Sequence, residues 1–350
     1  MLKLLQAESE RSEELDAART AVQCALDETE KEGFVTEPLP EQSEWALPIR
    51  EQRFLASVIS HLKPRHILEF GSGSSTRVLA RGRSNLEPQC SITSIEHDPD
   101  FRNSTIHELV DEGIRDDGVT VQFAPLVLRD CGGKLLPVYR LRPHRFASSE
   151  LVDLVLIDGP PLALGGREGT LYQAMEFAKT GTLLLLDDAN RAEERAVLSR
   201  WQDNLGDAIE IKLLPQFPHG MAAILVHNPV TSSDLWNHRI RLCRNELRNL
   251  VPRGRAFILV DEGLAKTQLG YKSRAIPFLE RDGEYFGPPE NDAAAISELE
   301  RLGYPRASFM VFLWPAFWWL EHYSGFREHL HSHYRVVLEN DRLLVFDLRP

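Results

Sequence analysis

The sequence predicts an α/β protein: a doubly wound, mostly parallel, Rossmann-like sheet, then a second, smaller α/β unit, with a helix leading in. Two observations carry this expectation. Short apolar runs of strand length alternate with stretches of helical periodicity from about residue 49 to residue 226. Several of those runs end in an acidic residue or a glycine turn, as strands do that feed a crossover connection.

The first 32 residues read as a mainly acidic helix, with Leu15, Ala18, Val22 and Leu26 on one face. It suits a coiled-coil arm, a helix packed on the next domain, or part of a linker. Residues 37–40 (Glu-Pro-Leu-Pro) mark a break. A helix is expected over residues 49–61, closed by Lys63-Pro64, and a buried strand follows at His66-Ile67-Leu68-Glu69-Phe70. That strand runs into Gly71-Ser72-Gly73-Ser74-Ser75-Thr76 and a new helix. Gly71 permits the positive φ of a sharp turn, and Gly73 carries no Cβ to block a ligand. The helix that follows directs free N–H groups and the positive end of its dipole toward the bound molecule.

Further strands are expected at residues 91–95, 119–123, 151–157, 182–186, 209–214 and 221–226, with helices at 100–113, 172–179 and 194–201. Residues 124–133 read as irregular. Beyond Asn228-Pro229 the pattern restarts, with strands at 256–260, 275–279, 308–313, 335–338 and 343–348 and helices at 292–302 and 317–334. The implied domains are a helical arm over residues 1–36, a ligand-binding domain over 37–228 and an accessory domain over 229–350.

The chain has 350 residues, 43% hydrophobic and 26% charged, with a formal net charge of −12. This suits a soluble globular protein, and the acidic balance without a Lys/Arg run argues against nucleic-acid binding. Cys24, Cys90, Cys131 and Cys243 form no C-x-x-C pair, so reduced thiols in a cytoplasmic protein are expected rather than zinc or a disulfide framework. No signal peptide is read at the N-terminus. The longest apolar run, residues 309–320, is too short for a membrane span and contains Pro315.

The glycine turn does not fit a dinucleotide site, because Thr76 stands where the third glycine of G-x-G-x-x-G belongs. A carboxylate at Glu69 suits a cationic amino group better than a pyrophosphate. The second strand ends in Glu96-His97-Asp98, where an acid can accept two ribose hydroxyls. Together, E-F-G-S-G-S, strand, helix, strand and acid resemble the class I S-adenosylmethionine-dependent methyltransferases over roughly residues 40–228. The resemblance implies that Glu69, Gly71, Ser72, Gly73, Ser74 and Ser75 enclose the methionine portion. It implies that Glu96, with His97 beside it, holds the ribose, that Pro125 and Leu126 lie along the adenine, and that Asp158 completes the pocket.

Acids also end the later strands, at Asp158-Gly159-Pro160-Pro161 and Asp187-Asp188-Ala189-Asn190-Arg191. An acid after a strand can simply cap the next helix. Similarity to catechol-type O-methyltransferases implies instead that Asp158, Asp187 and Asp188 hold a divalent cation such as Mg²⁺, although Asp188 stands where that family often has Asn. Without a metal, Asp158 or His219 would be the general base. Arg167 and Arg191 read as ion-pair partners of these acids or of an anionic substrate.

The I-D-G-P-P and L-D-D-A-N-R segments with Trp201 resemble bacterial methyltransferase-like proteins of glycan assembly. Phe317-Trp318-Trp319-Leu320-Glu321-His322-Tyr323, with Gly283-Glu284-Tyr285-Phe286-Gly287, resembles a module appended to bacterial glycosyltransferases. The aromatics are expected to pack the small domain's core, and a sugar or partner surface is the other reading. His329, His331 and His333 read as a solvated helix end. The expected activity is methyl transfer to an oxygen of a small molecule, sugar or glycan intermediate. The competitors are a non-catalytic scaffold, with a protein partner on the N-terminal helix or C-terminal domain, and a nucleotide-dependent sugar enzyme.

Overall fold

The computed structural model describes residues 2–30, 47–84, 86, 90–114, 118–141, 151–271 and 274–350. The break expected at residues 37–40, and with it the arm boundary at 36, lies outside them. The chain divides into two compact units: residues 1–131 with 135–232, and residues 132–134 with 233–350.

In the first unit the elements run α1 (Leu2–Thr29), α2 (Ile49–Leu62), β1 (His66–Phe70), α3 (Ser74–Arg83), β2 (Ser91–Glu96), α4 (Pro99–Asp111) and β3 (Val119–Phe123). There follow β4 (Leu126–Asp130), β5 (Leu135–Tyr139), β6 (Val152–Ile157), α5 (Glu168–Ala174), β7 (Ala178–Asp187), α6 (Ala192–Leu205), β8 (Ile209–Leu214) and β9 (Met221–Val226). Seven strands form one sheet in the order β3-β2-β1-β6-β7-β9-β8. Only β9 runs against its neighbours. This is the expected doubly wound, mostly parallel sheet.

The central strands are apolar throughout because both faces are covered. Leu154, Leu156, Leu183 and Leu185 join one core with α1, α2 and α3, while the alternating Val155, Ile157, Leu184 and Leu186 are equally buried on the other face. The N-terminal helix belongs to that core: Leu15, Ala18, Val22 and Ala25 are buried in it. It is therefore a packed helix and not a free arm.

Three expectations need correction. Residues 124–133 are not irregular: β4 and β5 form an antiparallel hairpin registered from Leu126–Tyr139 to Asp130–Leu135. The helix expected at 172–179 lies earlier, as α5, and β7 begins at Ala178. Phe177 returns the chain to the sheet by accepting the Val152 amide on its carbonyl at 2.9 Å.

The second unit runs α7 (Ser232–Leu250), β10 (Phe257–Val260), α8 (Lys266–Leu269), β11 (Ala275–Pro277), β12 (Glu280–Arg281), β13 (Glu284–Tyr285), α9 (Asp292–Leu302), β14 (Phe309–Leu313), α10 (Trp318–His322), α11 (Ser324–His333), β15 (Arg335–Glu339) and β16 (Leu343–Asp347). Its five-stranded sheet has the order β11-β10-β14-β16-β15, parallel across the first three and antiparallel after. The single helix expected at 317–334 is broken at Tyr323, whose ψ of 71° leaves the helical region. Trp319 is fully buried and Trp318 is 40% exposed, so the aromatic segment is part core and part surface. Among the described residues no helix is long and apolar enough to cross a membrane.

Candidate active site at the strand ends

The strand order reverses between β1 and β6, so a crevice is expected at their carboxyl ends. β1 delivers Phe70 to Gly71, and β6 delivers Ile157 to Asp158. The Asp158 amide donates to the Phe70 carbonyl at 2.9 Å, which brings the two ends together. Gly71 has φ of 94°, and a Cβ there would stand 3.2 Å from the backbone of Asp158 and Gly159. Both facts favour glycine: φ is positive, and a side chain would press on the second chain.

The turn is braced from beneath. The hydroxyls of Ser75 and Thr76 each donate to Glu69 at 2.6 Å, one to each carboxylate oxygen. Thr76 Oγ1 also accepts the Gly73 amide at 3.0 Å. Glu69 is wholly buried, and burial pushes its carboxyl group up to about 7, with repulsion from Glu96 in the same direction and the Ser75, Ser94 and Thr76 hydroxyls opposing. Each Glu69 oxygen thus accepts a hydroxyl from the helix start, and these contacts shape the turn.

Glu96 faces the same turn. Its Oε2 accepts the Ser72 amide at 2.8 Å and the Ser72 hydroxyl at 3.1 Å, while Oε1 accepts the amides of His97 and Asp98 at 2.7 and 2.9 Å. The Ala124 amide donates to the Glu96 carbonyl at 2.7 Å, which sets Pro125 and Leu126 beside this strand end. Ser74 turns away, accepting the Leu47 amide at 2.8 Å on its hydroxyl.

Asp158, Asp187 and Asp188 converge, each offering an oxygen within 4.8 Å of the others. Arg167 lies among them, 5% exposed: Nη2 donates to Asp158 at 2.9 Å and to Asp188 at 2.7 Å, and Nη1 donates to the Asp187 carbonyl at 2.6 Å. Arg191 adds a second pair to Asp188 at 2.7 Å, and His219 Nδ1 lies 3.8 Å from it. Burial raises Asp158 well above the usual carboxylate range, with Asp187 and Asp188 adding to the rise and Arg167 opposing it. Asp187 is raised by burial and then by Asp188. Asp158 remains 29% exposed at its side chain, so it is a buried-edge acid open to a ligand.

Neither a family model nor a curated protein matches this chain. Solved structures are similar to it. An O-methyltransferase from Bacillus cereus in complex with SAH is 15% identical, with a TM-score of 0.41, covering 60% of this chain and 90% of its own. The O-methyltransferase TomG from Streptomyces achromogenes, in complex with SAM, is 16% identical with a TM-score of 0.39, over 60% and 89%. Cofactor-bound Rv0187 from MTB is 20% identical with a TM-score of 0.40, over 60% and 90%.

Two members of the site escape a reading of the sequence. Tyr139, at the end of β5, is 1% exposed, and its ring packs 5.4 Å from that of Phe70. A Cβ on Gly159 would collide with its hydroxyl, and that oxygen has no protein partner. Burial raises the phenol well above its ordinary range, and Glu96, Asp158 and Glu69 add to the rise. Tyr139 arrives through a hairpin held by Gln173, which donates to the Tyr139 carbonyl at 2.7 Å and accepts its amide at 3.0 Å. Glu51, on α2, is fully buried with both carboxylate oxygens unpaired by side-chain donors, and burial raises it. No motif marks either residue, because both reach the site through tertiary packing.

Proposed function

We propose that the first unit is an S-adenosylmethionine-dependent methyltransferase that transfers to an oxygen of a small molecule, sugar or glycan intermediate. The observation that carries this reading is the gathering of Glu96 and Asp158 about the Gly71 turn, with Glu69 buried beneath it. Such a crevice favours a ligand with cationic groups, and S-adenosylmethionine carries a sulfonium and an ammonium. The orphan Tyr139 hydroxyl supports it, since a buried donor without a partner calls for a ligand acceptor.

On this reading Gly71 to Ser75 pass along the methionine portion, Glu96 exchanges its Ser72 hydroxyl contact for the ribose, and Pro125 and Leu126 line the adenine. The bound cofactor supplies a methyl group on sulfur, and S-adenosylhomocysteine leaves. Asp158 accepts the proton of the acceptor hydroxyl, and His219 beside Asp188 is the other candidate base. Much of the rate would come from holding the oxygen in line with the methyl group. A Mg²⁺ ion at Asp158, Asp187 and Asp188 would stand against the Arg167 guanidinium that already binds Asp158 and Asp188, and Asp158 serves as base without a metal.

Calorimetry with S-adenosylmethionine and S-adenosylhomocysteine tests the reading, and the absence of heat from both would refute it. The closed hydrogen bonding of Glu96 favours a second reading, a binding protein that keeps the fold without transfer. Cofactor affinity without product across a panel of sugars and glycans would select that one.

A further inference from the structure

We infer that Arg167 is the built-in cation of the Asp158–Asp187–Asp188 cluster and that the cluster excludes divalent metal ions. A cluster of three acids at two adjacent strand ends is the donor set a hard cation would take. In this chain a guanidinium already occupies their shared face. Arg167 donates to two of the carboxylates and to the main-chain carbonyl of the third residue. Asp188 Oδ2 is shared with Arg191 as well, so that oxygen carries two cationic partners.

The position of Arg167 is dictated by its scaffold. It immediately precedes α5, and that helix is pinned on both sides: the Thr170 hydroxyl donates to the Gly159 carbonyl at 3.0 Å, and the Trp201 indole donates to the Glu168 carbonyl at 3.1 Å. Glu168 is in turn held by Arg200 at 3.0 Å. A surface arginine could swing out to admit an ion. This one is 5% exposed, and its fork is matched to three fixed oxygens. The guanidinium cannot deprotonate to make room, and a dication beside it would be repelled at short range.

A consequence for the transferase reading, on which this part rests, is that Asp158 is oriented by Arg167. One oxygen is tied to the guanidinium at 2.9 Å and the carboxylate edge is left facing the crevice. Arg167 is then a positioning residue and not a catalytic one.

The test reads metal binding directly and does not depend on methyl transfer. The full-length protein is freed of metal, exchanged into buffer and titrated into Mn²⁺ while the free-ion paramagnetic resonance signal is followed. The wild type should leave the signal undiminished. Arg167→Gln should gain Mn²⁺ affinity by at least about tenfold as the repelling charge is removed. The gain should vanish in the double variant with Asp158→Asn, and Arg167→Lys, which keeps a cation, should show none. One tightly bound Mn²⁺ per wild-type chain, released by Asp158→Asn or Asp188→Asn, would overturn the inference. So would an Arg167→Gln protein of unchanged circular dichroism with no gain. Should Arg167→Gln fail to fold, the wild-type titration and its aspartate controls decide alone.

Discussion

Ser72 and Glu96 are joined twice, through the Ser72 amide at 2.8 Å and its hydroxyl at 3.1 Å, both to the same carboxylate oxygen. The link fastens the glycine turn after β1 to the end of β2. It also makes the turn's shape depend on an acid 24 residues away. Glu96→Gln replaces acceptors by an amide whose N–H₂ must face an amide donor. The variant should lose about 1–3 kcal/mol in urea unfolding. On the transferase reading it should also bind S-adenosylmethionine more weakly by calorimetry.

Glu69 makes stability depend on pH. Its carboxyl group lies near 7 in the folded protein against an ordinary 4.5. The folded state therefore holds a proton that the unfolded chain gives up, and the contribution is full below about pH 4.5 and lost as pH rises through 7. The difference corresponds to about 3 kcal/mol at its largest. Urea midpoints measured from pH 5 to 8 should fall in the wild type. In Glu69→Gln, which cannot ionise, that component of the slope should disappear.

The Tyr139 hydroxyl is buried without a protein partner. Tyr139→Phe should leave stability unchanged or raise it by about 1 kcal/mol in the ligand-free protein, since the desolvated hydroxyl is removed. On the transferase reading the same change should weaken S-adenosylmethionine binding. Unequal effects on the two measurements are the mark of a group kept for a ligand. Equal losses in both would assign the ring a packing role alone.

Asp158 is the acid open to the crevice. Asp158→Asn keeps the shape and the hydrogen bond from Arg167 but removes the proton acceptor. Transfer should fall about 10²–10⁴-fold, far more than cofactor affinity does. If His219→Gln shows the larger loss instead, the base is the histidine. Product formation followed by mass spectrometry separates the two.

The strands were the most readable part of this chain. β3, β8 and β9 sit at the expected positions: β9 is a continuous buried apolar run, while β3 and the half-exposed β8 interleave apolar with polar residues. The hairpin β4–β5 was hidden because Cys131-Gly132-Gly133 interrupts it and its outward Leu128 and Leu135 blur the alternation. α7 carries an amphipathic signal, with Leu235, Ile240, Cys243 and Leu247 buried among arginines. At the site, local spacing revealed Gly71, Glu96 and Asp158. The use of Glu69 beneath the turn, the bridging by Arg167 and the arrival of Tyr139 depend on packing between distant elements, which no local pattern encodes.

Thr76 occupies the place a dinucleotide pattern reserves for glycine, yet its single oxygen anchors both Glu69 and the Gly73 amide. A glycine there would delete both anchors at once. Any search profile written around three glycines thus discards this chain on account of the very atom that makes its loop self-supporting.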